Sequence, residues 1–541
     1  MLGLAVGSVV LSLLNLQATA FQVPLATPSS ENSDYTFKWP IRKVAVIGAG
    51  VGGIISYREF LEAGFDVHVF ERDTVPGGNW HYTEELPDKA PIPNAQSTVG
   101  DYVPSLPPKS ANLPYKQVYR CDEFAEVARS HRAPKPLWET MHAGPAPDIQ
   151  IDRFPWPVGT AWNLSNTQIS RYLRAFASLN GANSNDNNPR FSYNTRVELV
   201  EKRFDEEGQE VGWTLTLKTV TRAGDDSCKA VWTKQDFDAV VVATGRFNAP
   251  NMPNIPGLVE WDKAFPDTII HSRQYRHSEL YTNKTVLVVG ASSSGGQISQ
   301  DLAPNAKKIF TSVRPDSAGG LHGAIRFLLQ ALPHNIEVVG EIKRFLPPTS
   351  SIATTGIELT NGTIFTGVDA VIFSTGFRYS FPFLPQYHNP SVGPKEKGPP
   401  NLPQPIVTDG THLRNLYLDI FYIEEPTLGF VNMNIGMQPF TYAEYTAVAL
   451  SKVWSDKAKI PSTPDLWRWC EKKREEYGYG KQYQYLGGGG TDKMIRFFMA
   501  WLNDAAAKYG GRQVDGQSPE YVPFPLAIFV SSNNAPFLNQ P

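Results

Sequence analysis

The clearest pattern along the chain is a short apolar run that leads through a glycine-rich turn into a helical segment. Residues 44–47 are all apolar, and glycines follow at Gly48, Gly50 and Gly53. A helical pattern over 53–63 and a second apolar run at 67–70 come next. This order predicts a buried strand, a tight turn, a helix and a parallel strand. The helix N-terminus in such a turn can hold a pyrophosphate, so the three glycines are candidate nucleotide-binding residues.

The same pattern returns later in the chain. The apolar residues 285–289 precede Gly290, Ser292 and Gly295, which stand where the first turn has its three glycines. From 285 to about 314 we therefore predict a second strand–helix–strand unit. Two such turns in one chain predict two bound dinucleotides, as electron transfer from a nicotinamide to a flavin requires.

The rest of the pattern is that of a mixed α/β protein. Residues 86–160 are rich in proline and weakly periodic, so we expect long loops there with one helix at 122–130. Further predicted elements are a helix at 168–178, ribbon strands at 192–202 and 213–220, strands at 239–243 and 370–373, a hairpin around Asn361-Gly362, and a C-terminal helix behind a loop at 487–490.

Composition and charge exclude several classes. The chain has 541 residues and a net charge of −3, which gives no electrostatic reason to expect a nucleic-acid partner. Its cysteines, Cys121, Cys228 and Cys470, are far apart and form no C-x-x-C pair, so neither a redox dithiol nor a zinc site is indicated. The histidines are isolated as well, and no metal site is predicted.

The N-terminus differs from the rest of the chain. Residues 1–14 are almost wholly apolar, and Ala18-Thr19-Ala20 offers a small-residue cleavage site. We predict a signal peptide over 1–20, or an anchor if it is retained, followed by a linker over 21–40. The expected location is the secretory pathway (endoplasmic reticulum or secreted), with membrane contact only if the segment is retained. Sequons at Asn163, Asn283 and Asn361 are compatible with a glycoprotein.

An acidic residue and a pair of glycines extend the first nucleotide-binding pattern. Glu71 follows the predicted strand at 67–70, where a carboxylate accepts hydrogen bonds from the ribose hydroxyls of an adenosine. The string Glu-x5-Gly-Gly-x-Trp that ends at Trp80 resembles the flavin-containing monooxygenases and their Baeyer–Villiger relatives, in which it lies along the FAD. The resemblance implies that Gly78, Asn79 and Trp80 also bind FAD.

The resemblance continues downstream. Ala243-Thr244-Gly245 and the prolines after it resemble the family's crossover from the FAD domain into the NADPH domain. The stretch from Phe265 to Tyr275 matches the family string F-x-G-x3-H-x3-Y/F at three of four positions, with Asp267 in place of the glycine. The Baeyer–Villiger version ends in Trp followed by Pro or Asp. Tyr275-Arg276 therefore favours the heteroatom-oxidising branch.

The second turn resembles the family's G-x-S-x-S-G turn for NADPH. A basic side chain is expected at the end of the next strand to pair with the 2′-phosphate, and Arg314 stands there. The residues implied to bind NADPH are Gly290, Ser292, Ser294, Gly295, Arg314 and His271.

The implied fold is α/β with two Rossmann-like domains, the FAD domain being interrupted by an inserted NADPH domain. The predicted boundaries are 41–247 for the first part of the FAD domain and 248–375 for the NADPH domain. The second part of the FAD domain, with the C-terminal helices, is predicted at 376–541.

Two departures from the family pattern lie where substrate and flavin would meet. Related proteins carry a Thr-Asn pair whose Asn hydrogen-bonds near the reactive edge of the flavin, but residues 138–145 contain no Asn. Asn163 or Asn166 could take its place. The family's Glu-x-Gln near the C-terminal helix is Glu444-Tyr445-Thr446 here.

The resemblance implies a monooxygenase in which NADPH reduces FAD and a C4a-hydroperoxyflavin passes one oxygen atom from O2 to a nitrogen or sulfur of a small molecule. The expected substrate is an amine or thioether, in natural-product biosynthesis. A Baeyer–Villiger enzyme acting on a ketone, and a flavoprotein that binds NADPH without oxygenating anything, remain alternatives. A pyridine nucleotide–disulfide reductase is disfavoured because the cysteine pair it needs is absent.

Overall fold

The computed structural model describes residues 34–100, 102–132, 135–223, 227–314 and 332–516. The predicted signal peptide, most of the predicted linker and the last residues of the chain lie outside these ranges. The helices are α1 Val51–Glu62, α2 Cys121–Arg132, α3 Asn166–Leu179, α4 Leu258–Ala264, α5 Ser293–Leu302, α6 Pro439–Trp454, α7 Thr463–Tyr477 and α8 Gly487–Tyr509.

The strands up to the second glycine turn are β1 Lys43–Ile47, β2 Asp66–Phe70, β3 Tyr115–Tyr119, β4 His142–Pro145, β5 Asn163–Ser165, β6 Phe191–Ser192, β7 Thr195–Phe204, β8 Glu210–Ala223, β9 Ser227–Phe237, β10 Ala239–Val242, β11 Ala249–Pro250, β12 Ile269–His271 and β13 Thr285–Val289. Those after it are β14 Lys308–Ser312, β15 Ile336–Val339, β16 Ile342–Phe345, β17 Ile357–Leu359, β18 Ile364–Phe365, β19 Ala370–Phe373, β20 Phe377–Arg378, β21 Leu416–Tyr417, β22 Phe421–Tyr422 and β23 Leu428–Phe430.

The first glycine turn belongs to a seven-stranded sheet in the order β21-β22-β23-β10-β1-β2-β6. Strand β1 lies inside the sheet and pairs in parallel with β2 and β10. All but one of the residues of β1 are buried, because helices such as α1 cover one face of the strand and the ribbon strands β7 and β8 cover the other. Strands β21 to β23 join this sheet after the chain has passed through the second unit, so the sheet is built from two separate stretches of sequence.

The second glycine turn belongs to a five-stranded parallel sheet in the order β12-β19-β13-β14-β15. Its central strand β13 is buried along its whole length. The two passages between the sheets, β11 and β20, pair with each other in antiparallel register. The chain therefore enters the unit that contains the five-stranded sheet, and leaves it again, at the same place.

Two features differ from the sequence-based expectations. The ribbon has four strands, β3-β9-β8-β7, rather than two. Its strand β9 buries Cys228, Ala230 and Trp232 at alternate positions, a signal that was available in the sequence. The predicted loop at 487–490 is wrong, because these residues form the first turn of α8. Among the described residues, no helix combines the length and apolar character needed to cross a membrane.

Candidate functional site

In the first glycine turn, residues 48–53, the positions of Gly48 and Gly53 leave no room for a side chain. Gly48 has a φ of 104°, which disfavours other residues, and a Cβ there would lie 2.8 Å from the carbonyl oxygen of Ala243. A Cβ on Gly53 would lie 1.8 Å from the carbonyl oxygen of Gly48. The start of α1 is thereby pressed against the end of β1, which leaves its first N–H groups open toward a ligand.

Glu71 lies directly beside this turn. Its Oε2 accepts a hydrogen bond of 2.6 Å from the backbone N–H of Ala49, and its Oε1 accepts one of 2.7 Å from that of Asp73. A carboxylate has about four acceptor positions, so others remain for ribose hydroxyls. The carboxylate is thus held in place by the backbone, where the predicted contact with adenosine requires it.

The Gly77-Gly78 pair packs on the first glycine turn from outside. The N–H of Gly77 donates to the carbonyl of Ala49 over 2.9 Å, and a Cβ on Gly78 would lie 2.9 Å from the Cα of Gly50. Gly78, Asn79 and Trp80 form a 3-10 turn that packs against α3 and is only partly buried. These residues are accessible along the path predicted for FAD.

A buried ion cluster, which sequence reasoning missed, holds the chain next to Glu71. The carboxylate of Asp73 lies 3.0 Å from Nδ1 of His81 and 3.1 Å from Nζ of Lys135. Burial opposes its charged form, but Lys135 and His81 outweigh burial and hold the pKa of Asp73 well below its usual range. The cluster joins the FAD-side loop to the segment that begins at Lys135.

The second glycine turn, residues 290–295, repeats the geometry of the first. Gly290 has a φ of 100°, and a Cβ on Gly295 would lie 1.8 Å from the carbonyl oxygen of Gly290. Ser292 is the N-cap residue of α5, yet its side chain makes no capping bond and is exposed. Ser294 is half-buried in the first turn of the helix. Both hydroxyls lie where a nucleotide phosphate would approach.

The two other residues predicted to bind NADPH, Arg314 and His271, differ in how exposed they are. Arg314 is exposed just beyond the end of β14, the strand beside β13. His271 is fully buried, and its Nε2 donates to the carbonyl oxygen of Gly376 over 2.9 Å while its Nδ1 accepts from the N–H of Arg273. Burial lowers its pKa to about 3, so the ring is neutral. Since both ring nitrogens are used by the backbone, His271 supports the turn at Gly376 and has no nitrogen free for the nucleotide.

Residues 138–145, here called the bridging segment, connect the two units. Thr140 donates a 2.6 Å hydrogen bond to the Asp301 carboxylate, and Gln297 donates to the carbonyl of His142 over 3.0 Å. Both partners lie on α5, directly behind the second glycine turn. On the other side, the N–H of Asn166 at the start of α3 donates to the carbonyl of Met141 over 3.1 Å.

The bridging segment also contacts the two candidate asparagines, Asn163 near Gly144 and Asn166 at Met141. Strands β4 and β5 pair so that Pro145 lies opposite Asn163. Asn163 is half-buried and engaged in further contacts. Asn166 is 2% exposed, and its Oδ1 has no hydrogen-bond partner among the described residues. A Cβ on Gly144 would have no neighbour within 4 Å, so the site of the missing Asn borders open space.

Comparison with known proteins identifies the family. Residues 150–346 match the model described as flavin-binding monooxygenase-like, and residues 46–102 match the NAD(P)-binding Rossmann-like domain. The chain is 57% identical over 495 residues to the flavin-containing monooxygenase iboF of Amanita muscaria, with 90% of this chain and 92% of that protein covered. The chain belongs to the flavin-containing monooxygenase family.

More distant relatives agree with this assignment. The chain is 27% identical to the flavin-containing monooxygenase ustF2 of Aspergillus flavus, over 88% of this chain and 95% of that protein. Among solved structures, an S-allyl-L-cysteine S-oxygenase from Allium sativum superposes with a TM-score of 0.61 at 21% identity, over 91% of this chain and 92% of the other. At that identity the likeness shows the fold alone, and it confirms the predicted α/β class.

FAD and NADPH, the cofactors of this flavin-containing monooxygenase, fit the two glycine turns. Each turn has the close backbone contacts that only glycine allows, and each opens a helix N-terminus toward a ligand. Glu71 beside the first turn suits the unphosphorylated ribose of FAD, and Arg314 beside the second suits the 2′-phosphate of NADPH. Within the part of the chain that the structure describes, no group of His, Cys, Asp or Glu could hold a metal ion.

Glu444, the residue of the family's Glu-x-Gln that is retained in this flavin-containing monooxygenase, has a defined structural role. The buried carboxylate of Glu444 pairs closely with Arg58 of α1 and accepts a 2.8 Å hydrogen bond from the N–H of Asp152. Burial raises the pKa of Glu444, and the charge of Arg58 opposes that shift. A cavity of about 340 Å³ borders Glu444 and Arg512. It lies toward the C-terminal end of α1, away from the glycine turn, so it is not a nucleotide site.

Proposed function

We propose that the protein is an NADPH- and O2-dependent monooxygenase that adds one oxygen atom to the nitrogen or sulfur of a small natural product. The reaction consumes NADPH, a proton, O2 and an amine or thioether, and it yields NADP+, water and the oxygenated substrate. Bound FAD supplies the redox and oxygen chemistry. The chain's own residues bind the two cofactors, orient them and exclude water from the place where they meet.

The bridging segment is the observation that carries this proposal. It is tied to α5 through Asp301 and Gln297, and to α3 through the N–H of Asn166. Helix α3 in turn packs against the 3-10 turn of Gly78 to Trp80. A segment bonded to both nucleotide-binding units fixes the spacing between them, and hydride transfer depends on that spacing. We expect the reaction site at Gly144, where this segment borders open space.

Asn163 and Asn166 are both candidates for the role of the missing family Asn. Asn166 is buried, and its Oδ1 lacks a partner among the described residues but is covered by protein even without a ligand. A flavin N–H would therefore reach this oxygen only after its neighbours move. Asn163 is half-buried, so it is the more accessible of the two, and it already makes other contacts.

Tyr275 and Arg276 support oxidation of a heteroatom rather than a ketone. The Tyr275 hydroxyl pairs closely with Asp301, and Arg276 donates to the carbonyls of Glu85 and Lys135, both over 2.9 Å. A Pro or Asp at position 276 has no side-chain N–H and could not donate the two bonds that Arg276 makes. The chain is also 26% identical to a thiol-specific monooxygenase of Saccharomyces cerevisiae, over 78% of this chain and 79% of that protein, which agrees with a sulfur substrate.

Oxygen transfer is tested with the FAD-loaded enzyme, NADPH and isotopically heavy O2 against panels of amines, thioethers and ketones. We expect an amine or thioether product that carries one heavy oxygen atom, with equal consumption of NADPH. A labelled ester from a ketone would replace this proposal by the Baeyer–Villiger alternative. If the enzyme releases as much hydrogen peroxide as it consumes NADPH and forms no labelled product, the protein is instead the non-oxygenating flavoprotein.

We further propose that the protein enters the secretory pathway, as its N-terminal sequence predicts. The three sequons differ in whether the fold leaves room for a glycan on the Asn. Asn361 lies in an exposed turn with Gly362, and Asn283 is exposed just before β13. Asn163 is half-buried in the pairing of β4 with β5, and the Ser165 of its sequon caps α3. A glycan at Asn163 is incompatible with that packing.

Expression of the full chain in a eukaryotic host is therefore expected to give glycans at Asn283 and Asn361 and none at Asn163. Endoglycosidase treatment followed by gel electrophoresis measures this. N283Q and N361Q should each remove one glycan, and N163Q, the matched control, should remove none. A wild-type chain without any glycan would contradict secretory entry, and a glycan on Asn163 would contradict the packing argument.

A further inference from the structure

One lysine from the C-terminal part of the chain contacts the end of the strand beside the second glycine turn. Lys481 begins a 3-10 turn, Lys481–Gln484, and its Nζ donates to the carbonyl oxygen of Thr375 over 3.0 Å. The same Nζ lies 3.5 Å from the position that a Cβ on Gly376 would take. These residues follow β19, the strand that pairs with β13 on the side away from β14.

The backbone behind Lys481 is firmly held. The side-chain amide of Gln484 is buried, accepts from the N–H of Leu413 and donates to its carbonyl, each over 3.0 Å, and also donates to Asp419. Tyr483 is buried as well. The lysine is therefore presented from a fixed support, although more than a hundred residues separate it from Thr375 along the chain.

Within the described ranges, no acidic side chain compensates the charge of Lys481. No described carboxylate lies within ion-pairing distance of its Nζ, and the same holds for the guanidinium of Arg314 over the described ranges. Loss of solvent around the ammonium lowers the pKa of Lys481, and the positive charge of Arg314 lowers it further. Two cations that repel each other beside a helix N-terminus favour an anion between them.

The order of the strands separates the roles of the two cations. Lys481 stands over the end of β19 and Arg314 at the end of β14, while the glycine turn follows β13 between them. Neighbouring strands are about 4.8 Å apart, so the two strand ends are separated by about 10 Å. In a dinucleotide bound to such a turn, the pyrophosphate lies over the turn and the adenosine ribose lies over the next strand, here β14.

We propose that Lys481 is a ligand of the NADPH pyrophosphate, on the side of the glycine turn opposite to Arg314. This inference rests on the proposed function in one respect, namely that NADPH occupies the second turn. It adds a phosphate ligand from the C-terminal part of the chain, so that nucleotide binding depends on the packing of that part against the NADPH unit. Arg314 keeps the 2′-phosphate.

The two cations are distinguished by binding NADP+ and NAD+ to the FAD-loaded enzyme, with Kd measured by titration calorimetry. Both ligands carry the pyrophosphate and only NADP+ carries the 2′-phosphate. We expect K481M to raise Kd for both nucleotides by a similar factor, roughly tenfold, because it removes a charge-assisted bond to phosphate. R314M is expected to raise Kd for NADP+ and to leave that for NAD+ unchanged. K481R should retain most of the affinity.

K307M provides the matched control, because Lys307 is exposed just before β14 begins, at the opposite edge of the sheet from the nucleotide. It should change neither Kd. If K481M binds both nucleotides as wild type does, or loses affinity for NADP+ alone, the assignment to the pyrophosphate is wrong. If the wild-type enzyme itself binds neither nucleotide, the proposed function fails instead, so the two failures are distinguishable.

Discussion

Replacing Gly53 by alanine is expected to abolish FAD binding. The new Cβ would lie 1.8 Å from the carbonyl oxygen of Gly48, far inside van der Waals contact, and that oxygen belongs to the backbone of the turn itself. The clash can be relieved only if α1 moves away from β1. This movement displaces the N–H groups that hold the pyrophosphate. G53A should therefore be isolated without the visible absorbance of FAD, and titration with FAD should give a Kd raised at least about tenfold.

A matching variant of the second turn, G295A, has the same clash but is expected to lose NADP+ rather than FAD. A Cβ on Gly295 would also lie 1.8 Å from a backbone oxygen, that of Gly290. G295A should keep its FAD and lose affinity for NADP+. G340A is the neutral control, since a Cβ at Gly340 has no neighbour within 4 Å. FAD bound to G53A at the wild-type ratio, in protein with a wild-type circular dichroism spectrum, would contradict the assignment of the first turn to FAD.

The glycine turns could be predicted from the sequence because the contact that presses each helix against its strand, Gly53 on Gly48 and Gly295 on Gly290, is local. The apolar strand, the turn glycines and the helix occupy about twenty consecutive residues, and their order alone predicts the geometry. The same holds for Glu71, which follows the next strand of the unit. The structure agrees with the predicted placement of these residues, and their roles toward FAD and NADPH stay predictions that the variants above address.

Contacts between distant parts of the chain could not be predicted in this way. No periodic pattern in the sequence signals the bond from Lys481 to Thr375 or the pairing of Asp73 with Lys135.

The glycines at 487–490 illustrate a second limit of prediction from the sequence. Glycine disfavours a helix by about 1 kcal/mol per residue, which favours a start at Thr491. The hydroxyl of Thr491 instead donates to the carbonyl of Gly487 over 2.6 Å, a bond made from within the helix rather than from an N-cap.

Replacing Arg58 by methionine is expected to produce the largest loss of stability among single substitutions away from the nucleotide turns. Its guanidinium donates to Glu59 over 2.9 and 2.7 Å, pairs closely with Glu444, and donates to the carbonyl of Asp152 over 2.9 Å. Both carboxylates are buried. Without Arg58 the two buried carboxylates share mainly one guanidinium, that of Arg512, so one negative charge is left uncompensated, at a cost of up to about 3–5 kcal/mol. Denaturant titration of the FAD-loaded enzyme, followed by tryptophan fluorescence, measures the loss.

The pH dependence of that loss identifies its cause. Burial already raises the pKa of Glu444, and without Arg58 the pKa rises further. A carboxyl group with a raised pKa in the folded state binds a proton more readily when folded, so its protonation stabilises the folded protein at low pH and this contribution is lost as pH rises. The cost of R58M should therefore be smaller at pH 5.5 than at pH 8. The double variant R58M/E444M should recover much of the stability at both pH values, because Glu59 keeps Arg512 as its partner and no unpaired carboxylate remains between α1 and α6. An equal cost at both pH values, or a double variant no more stable than R58M, would mean that lost side-chain packing rather than an unpaired carboxylate accounts for the effect.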